Sequence, residues 1–142
     1  MGKAFLLLFS FMTITTTYAE ANLSSIVEVL KKVESLNDSN AIGDNGKAYG
    51  VLQIHKIYVD DVNKNCGTEY THDDMFDENC AEEVFHLYME LASERFVRKY
   101  GKVPTEQDIV RMHNGGMYRG YRINATKKYY KRYLKFKKDT IK

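Results

Sequence analysis

This sequence predicts a mainly helical α+β domain with one small β-hairpin, and three observations predict it. Apolar residues recur at helical spacing in four separate stretches. An Asp-Asn-Gly turn is bracketed by short apolar segments. The chain has 142 residues, 44% of them hydrophobic and 13% aromatic with a single proline, which is enough for one domain and too little for several. That apolar content also excludes an intrinsically disordered chain.

The first helix is expected over Ser24–Ser35. Ser25 and Glu28 stand at capping-box spacing, and Ile26, Val27, Leu30 and Val33 share one stripe. The hairpin is expected within 41–54, because Asn45-Gly46 tolerates the positive φ angles of a tight turn. A long amphipathic helix follows over Cys80–Tyr100. Phe85, Tyr88, Met89, Ala92, Phe96 and Tyr100 form its apolar side, Gly101 is its stop, and it is the expected centre of the core. Pro104-Thr105 opens another helix through Ile109 and Val110, halted at His113-Asn114-Gly115-Gly116. The last, Thr126–Lys137, presents Tyr129, Tyr130, Tyr133, Leu134 and Phe136 to the core.

The N-terminus reads as a secretory signal. Lys3 precedes an apolar run of about nine residues, too short to cross a bilayer core that needs about 20. Small residues at Ala19 and Ala21 offer cleavage positions, so the expected division is a signal peptide over 1–19, or to 21, and a domain over 20–142. No other segment is apolar enough to span a membrane, and the product is expected to be secreted without a stable membrane anchor. An oxidising compartment favours a disulfide between the only two cysteines, Cys66 and Cys80. They lack the CxxC or HxxxH partners of a zinc site, and His55, His72, His86 and His113 share no ligand spacing, so no metal is expected.

Charge is segregated. Residues 60–94 carry a net charge of −10, and residues 117–142 a net charge of +9. The two regions either neutralise one another in the fold or leave a basic face for a polyanion such as a bacterial wall. Nucleic acid is the least expected partner of an exported chain.

Two carboxylates stand out. Glu34 lies four positions after Leu30 and seven after Val27, on the apolar stripe at the C-terminal end of the first helix. Desolvation and the negative helix end both disfavour its ionised form, which suits a general acid. Asp44 sits in the polar turn beside Asn45 and Gly46, where an aspartate stays ionised. One shielded and one solvated carboxylate are the division of labour of glycoside hydrolysis: a proton donor to the leaving oxygen, and an anion that attacks or stabilises the sugar cation. Tyr49, Tyr58, Tyr118 and Tyr121 are candidates to stack on sugar rings.

Glu34-Ser35, the run Gly43-Asp44-Asn45-Gly46-Lys47-Ala48-Tyr49-Gly50-Val51-Leu52-Gln53-Ile54-His55, Tyr58 and Asp61, then His113-Asn114-Gly115-Gly116 and Ala125-Thr126-Lys127-Lys128-Tyr129-Tyr130 together resemble the invertebrate-type, destabilase-like lysozymes and their bacterial relatives. The chain is similar, more loosely, to goose-type lysozymes and lytic transglycosylases, which share the Glu-Ser start and the Gly-x-x-Gln-Ile segment. The resemblance spans nearly the whole mature chain. It implies a lysozyme-like fold, the glycan strands of peptidoglycan as substrate and no cofactor. It also implies Glu34 as catalytic acid, Asp44 as second carboxylate, Gln53, Ile54 and His55 along the substrate cleft, and His113 and Asn114 facing them across it. The chain departs from the family in its few cysteines, in Met117 where the family has proline, and in Tyr130 where it has tryptophan.

Other chemistries fit less well. A Ser35–His113 nucleophilic pair lacks the Gly-x-Ser-x-Gly elbow. A lysozyme fold that binds the bacterial cell wall without cutting it, or acts through a basic C-terminal helix, gives no reason for a carboxylate on an apolar stripe.

Overall fold

The computed structural model describes residues 23–118 and 123–140. Their order is α1 (23–35), β1 (Ile42–Gly43), β2 (Ala48–Tyr49), β3 (Ile54–His55), α2 (Lys56–Cys66), a 3-10 turn (Asp73–Phe76), α3 (Glu78–Tyr100), α4 (Glu106–Gly115) and α5 (Ile123–Thr140). The fold is mainly helical with a small antiparallel sheet in the order β1-β2-β3, as the sequence predicts. The expected signal peptide lies outside the described residues. None of the described helices is long and apolar enough to cross a membrane.

In α1, Ile26, Val27, Leu30 and Val33 are all buried. Glu28 pairs with Lys31, 2.6 Å away. Lys31 is itself buried and also meets Glu78 at 2.8 Å and Glu82 at 2.7 Å, which ties α1 to the first turns of α3. Burial works against its charge, but the hydrogen bonds to the three glutamates outweigh that and hold its pKa above the ordinary lysine value.

The hairpin pairs Ile42 with Tyr49 and Gly43 with Ala48, and β3 adds Tyr49–Ile54 and Ala48–His55. Its turn runs through Asp44, Asn45 and Gly46, at φ 46°, 54° and 84°. Two close approaches fix where this sheet sits. A side chain at Gly50 (φ 73°) would put its Cβ 1.7 Å from the Met75 carbonyl oxygen, so only glycine lets the sheet rest on the 3-10 turn. A Cβ at Gly43 would lie 2.0 Å from Gln53 Oε1.

Helix α2 is not foreseen by the pattern. It starts at Lys56 behind His55, which makes no side-chain cap, and has no acid in its first turn, yet buries Tyr58, Val59 and Val62. Gly67 (φ 70°) ends it. The loop that follows is closed by Asn63, whose amide donates to the Tyr70 carbonyl (2.8 Å) while its oxygen accepts from Thr68 (2.9 Å) and the Tyr70 amide (3.0 Å).

The expected Cys66–Cys80 disulfide is not formed in this structure, where both cysteines are free. Cys66 is exposed at the end of α2, and Cys80 is half-buried in the first turn of α3. Burial, followed by the carboxylates of Asp77, Asp74 and Glu83, pushes the Cys80 thiol up and so disfavours the thiolate that exchange chemistry needs. Loop closure here rests on Asn63.

Helix α3 is the central element. It is capped by Asp77, which accepts from the Cys80 amide (3.0 Å), and buries Ala81, Val84, Phe85, Tyr88, Met89, Ala92 and Phe96. Gly101 (φ 66°) stops it. Helix α4 opens with a reciprocal Thr105–Asp108 capping box, and each such cap contributes about 1 kcal/mol. Helix α5 packs on α4, buries Tyr133 and closes with Lys137 on Glu106 at 2.7 Å.

Candidate active site

The sheet, the end of α1, the buried side of α2 and the end of α4 enclose a cleft of about 930 Å³. One wall is the hairpin and β3, with Asp44, Gln53, Ile54 and His55. The facing wall is the end of α4, with His113, Asn114, Gly115 and Gly116. Glu34 reaches in from α1, and Tyr58 and Asp61 from α2.

Glu34 occupies the last turn of α1 because its position belongs to the stripe of Val27 and Leu30, and its side chain is only 17% exposed. Ser35 fixes that turn: its hydroxyl donates to the Val51 carbonyl (2.9 Å) and accepts from the Asp38 amide (3.0 Å). This hydroxyl is committed to backbone anchoring, which removes the physical basis for Ser35 as a nucleophile.

Two side chains converge on one oxygen of Glu34. The Tyr129 hydroxyl, from α5, donates to Oε1 at 2.5 Å. His113 Nε2 lies 3.4 Å from the same atom, with the imidazole almost wholly buried. Oε2 has no hydrogen-bond partner among the described residues.

Behind His113, its Nδ1 stands 3.5 Å from the Tyr58 hydroxyl, and Tyr58 stacks on Tyr88 with ring centroids 3.5 Å apart. The Tyr88 hydroxyl in turn accepts from the Met117 amide (3.0 Å), pinning the segment after α4. Burial, then the Tyr88 phenol and Glu34, raise the Tyr58 pKa well above that of a free tyrosine. Burial and then Glu34 do the same for Tyr129. Both phenols therefore stay protonated. In the tautomer in which Tyr58 donates to Nδ1, the imidazole proton is on Nε2 and faces Glu34. Tyr129 and His113 thus converge on a single oxygen of one shielded carboxylate and leave its other oxygen to the cleft.

Asp44 lies across the cleft and is 55% exposed. Its turn conformation aims Oδ2 at His55 Nε2, 3.4 Å away. The cleft therefore pairs a shielded carboxylate with a solvated one.

The remaining sequence-derived residues divide. Ile54 is buried in the cleft wall, and His55 and Asn114 line it. Gln53 lines it too but also works as a clasp, its amide donating to the carbonyls of Gly50 (2.9 Å) and Ala41 (3.2 Å) from a backbone at φ 49°. Tyr49 does not line the cleft; it stacks on His72 (3.9 Å) and Phe76 (4.8 Å), holding the sheet to the 3-10 turn. Tyr58 is buried, so it supports His113 and offers no open face to a sugar. Tyr118 is exposed at the cleft edge with the Arg95 guanidinium over its ring and bonded to its hydroxyl. Tyr121 lies outside the described residues.

Sequence reasoning missed the roles of Tyr129 and Tyr88. Tyr129 was legible only as part of the apolar side of α5. No group of three or more His, Cys, Asp or Glu among the described residues is placed to hold a metal ion. Compared with known proteins, the chain matches no family model, no curated protein and no solved structure.

Proposed function

We propose that this chain is a secreted, lysozyme-type glycoside hydrolase that cleaves the β-1,4 bond between N-acetylmuramic acid and N-acetylglucosamine in bacterial peptidoglycan. One observation carries this reading: Glu34 is shielded in the wall of a cleft, held by Tyr129 and His113 through a single oxygen, with the solvated carboxylate of Asp44 lining the same cleft. The sequence resemblance to destabilase-like lysozymes supports it from the same residues.

In this mechanism the glycan runs between the hairpin and the end of α4. Glu34 delivers the proton from Oε2 to the glycosidic oxygen. As that proton leaves, negative charge develops on a carboxylate whose Oε1 already faces the Tyr129 hydroxyl and the His113 Nε2–H, so no donor has to reorganise. The C1–O bond breaks as the leaving sugar takes that proton, Asp44 supplies the anion opposite the oxocarbenium ion, and water then adds to C1 and gives its proton back to Glu34, leaving a reducing end. Asn114, exposed in the cleft wall, is an amide able to bond the N-acetyl groups of the sugar chain. No cofactor enters these steps.

The test is digestion of purified peptidoglycan followed by mass analysis of the released fragments. The proposal expects disaccharide units with a free reducing end. Anhydro-sugar ends would make the enzyme a transglycosylase, and the absence of any fragment would leave a wall-binding protein.

A further inference from the structure

The helix that braces the candidate acid carries a second, unrelated surface. With 100° per residue, Tyr129, Tyr133 and Thr126 fall on one side of α5, where Tyr133 and Thr126 are buried and Tyr129 meets Glu34. Lys127, Lys128, Lys131, Arg132, Lys135 and Lys138 fall on the opposite side within an arc of about 140°, all six exposed, and Asp139 near the helix end is the one acid of α5 in that arc. None of the six forms an ion pair with an acid among the described residues. By contrast Lys137, on the inward edge, is paired with Glu106. The acidic stretch over 60–94 therefore does not neutralise this face. Arg132 lies over the Phe136 ring.

We propose that this face of α5 is a docking surface for a linear wall polymer of repeating phosphodiesters. Successive lysines at i, i+3 and i+4 spacing make a straight row of charge along the helix, matched to an extended polyanion whose phosphates repeat along its length. A lipid bilayer fits less well. The aromatic side of α5 is consumed by the core, and Leu134, 37% exposed, is the largest apolar group beside the cations, so no apolar face remains to enter a membrane. Single-stranded nucleic acid fits less well too, since Tyr129, Tyr130, Tyr133 and Phe136 pack toward the body and leave no aromatic platform for bases. The surface lies on the far side of α5 from Glu34, so a polymer held there leaves the cleft open. It is independent of whether the cleft is catalytic.

The test compares the parent protein with the Lys127→Gln, Lys131→Gln, Lys135→Gln, Lys138→Gln variant, with binding to a purified polyglycerol-phosphate polymer measured over a series of salt concentrations. All four side chains are exposed and outside any ion pair among the described residues, so the thermal midpoint is expected to hold. The polymer affinity of the variant is expected to fall at least about tenfold at low salt. Its slope of log affinity against log salt should drop by about 3, the loss expected from four fewer phosphate contacts on a flexible single strand. Equal affinity of parent and variant would overturn the proposal. So would tighter binding of the parent to phosphatidylglycerol vesicles, or to duplex DNA of matched charge, than to the polymer.

Discussion

The Tyr129 hydroxyl donates to Glu34 Oε1 at 2.5 Å, joining the first helix to the last across 95 residues of sequence. It connects the packing of α5 to the chemistry of the cleft, because the residue that anchors the helix also solvates the carboxylate. Tyr129→Phe keeps the ring and removes only that bond. Hydrogen bonds to charged groups are worth about 1.5–3 kcal/mol, so kcat on peptidoglycan is expected to fall about tenfold to hundredfold. KM should stay near the parent value, and steady-state kinetics check both.

The tyrosines set an alkaline limit on stability. Burial raises Tyr58, Tyr88, Tyr129 and Tyr133, and a hydrogen bond to Glu83, with some burial, pushes Tyr70 up to about 12. Below about pH 10 these phenols are protonated in both the folded and unfolded chain, and the stabilisation is fully present. From about pH 10 to 12 the unfolded chain releases protons that the folded one retains, so stability falls as pH rises. Urea midpoints should be level up to about pH 9 and decline steeply beyond it, with tyrosinate absorbance appearing together with unfolding.

Two glycines of positive φ separate backbone cost from steric cost. A Cβ added at Gly46 (φ 84°) would meet nothing within 4 Å, so Gly46→Ala is expected to cost only the left-handed backbone penalty of about 1–2 kcal/mol. Gly50→Ala adds a clash with the Met75 carbonyl and is expected to cost more than about 3 kcal/mol. Chemical denaturation of the two variants ranks them, and equal costs would contradict the close approach of the sheet to the 3-10 turn.

The thiols should differ in reactivity. Cys66 is exposed, whereas Cys80 is half-buried among Asp77, Asp74 and Glu83. Alkylation of the native protein followed by mass analysis is expected to label Cys66 first and Cys80 only slowly. A single oxidised species with no free thiol would show that the two do bridge.

The helices were legible where caps and stripes agree. Gly101 marks the end of α3 and Thr105 the start of α4 in the sequence and in the structure alike, while α3 starts at Glu78 behind its Asp77 cap, two residues before the Cys80 expected from the apolar stripe. Helix α2 was not legible, because Lys56-Ile57-Tyr58-Val59 follows directly on a strand with no capping residue, and tertiary burial of Tyr58, Val59 and Val62 decides its conformation. Glu34 was legible through its place on the stripe, and Asp44 through its turn. The bond from Tyr129 was not, since a contact between helix faces 95 residues apart leaves no periodic trace. Tyr49 shows the converse limit: an aromatic beside a turn suits a sugar platform, yet its ring stacks on His72 and Phe76 and does not line the cleft.

In the proposed function Glu34 is the acid of a wall-cleaving cleft. The most direct measurement is clearing of a peptidoglycan suspension by the parent protein and by Glu34→Gln, with wall binding followed in the same samples. The parent is expected to clear the suspension, while the variant binds the wall but leaves it turbid. Clearing by the variant at the parent rate, or binding without clearing by the parent, would contradict it.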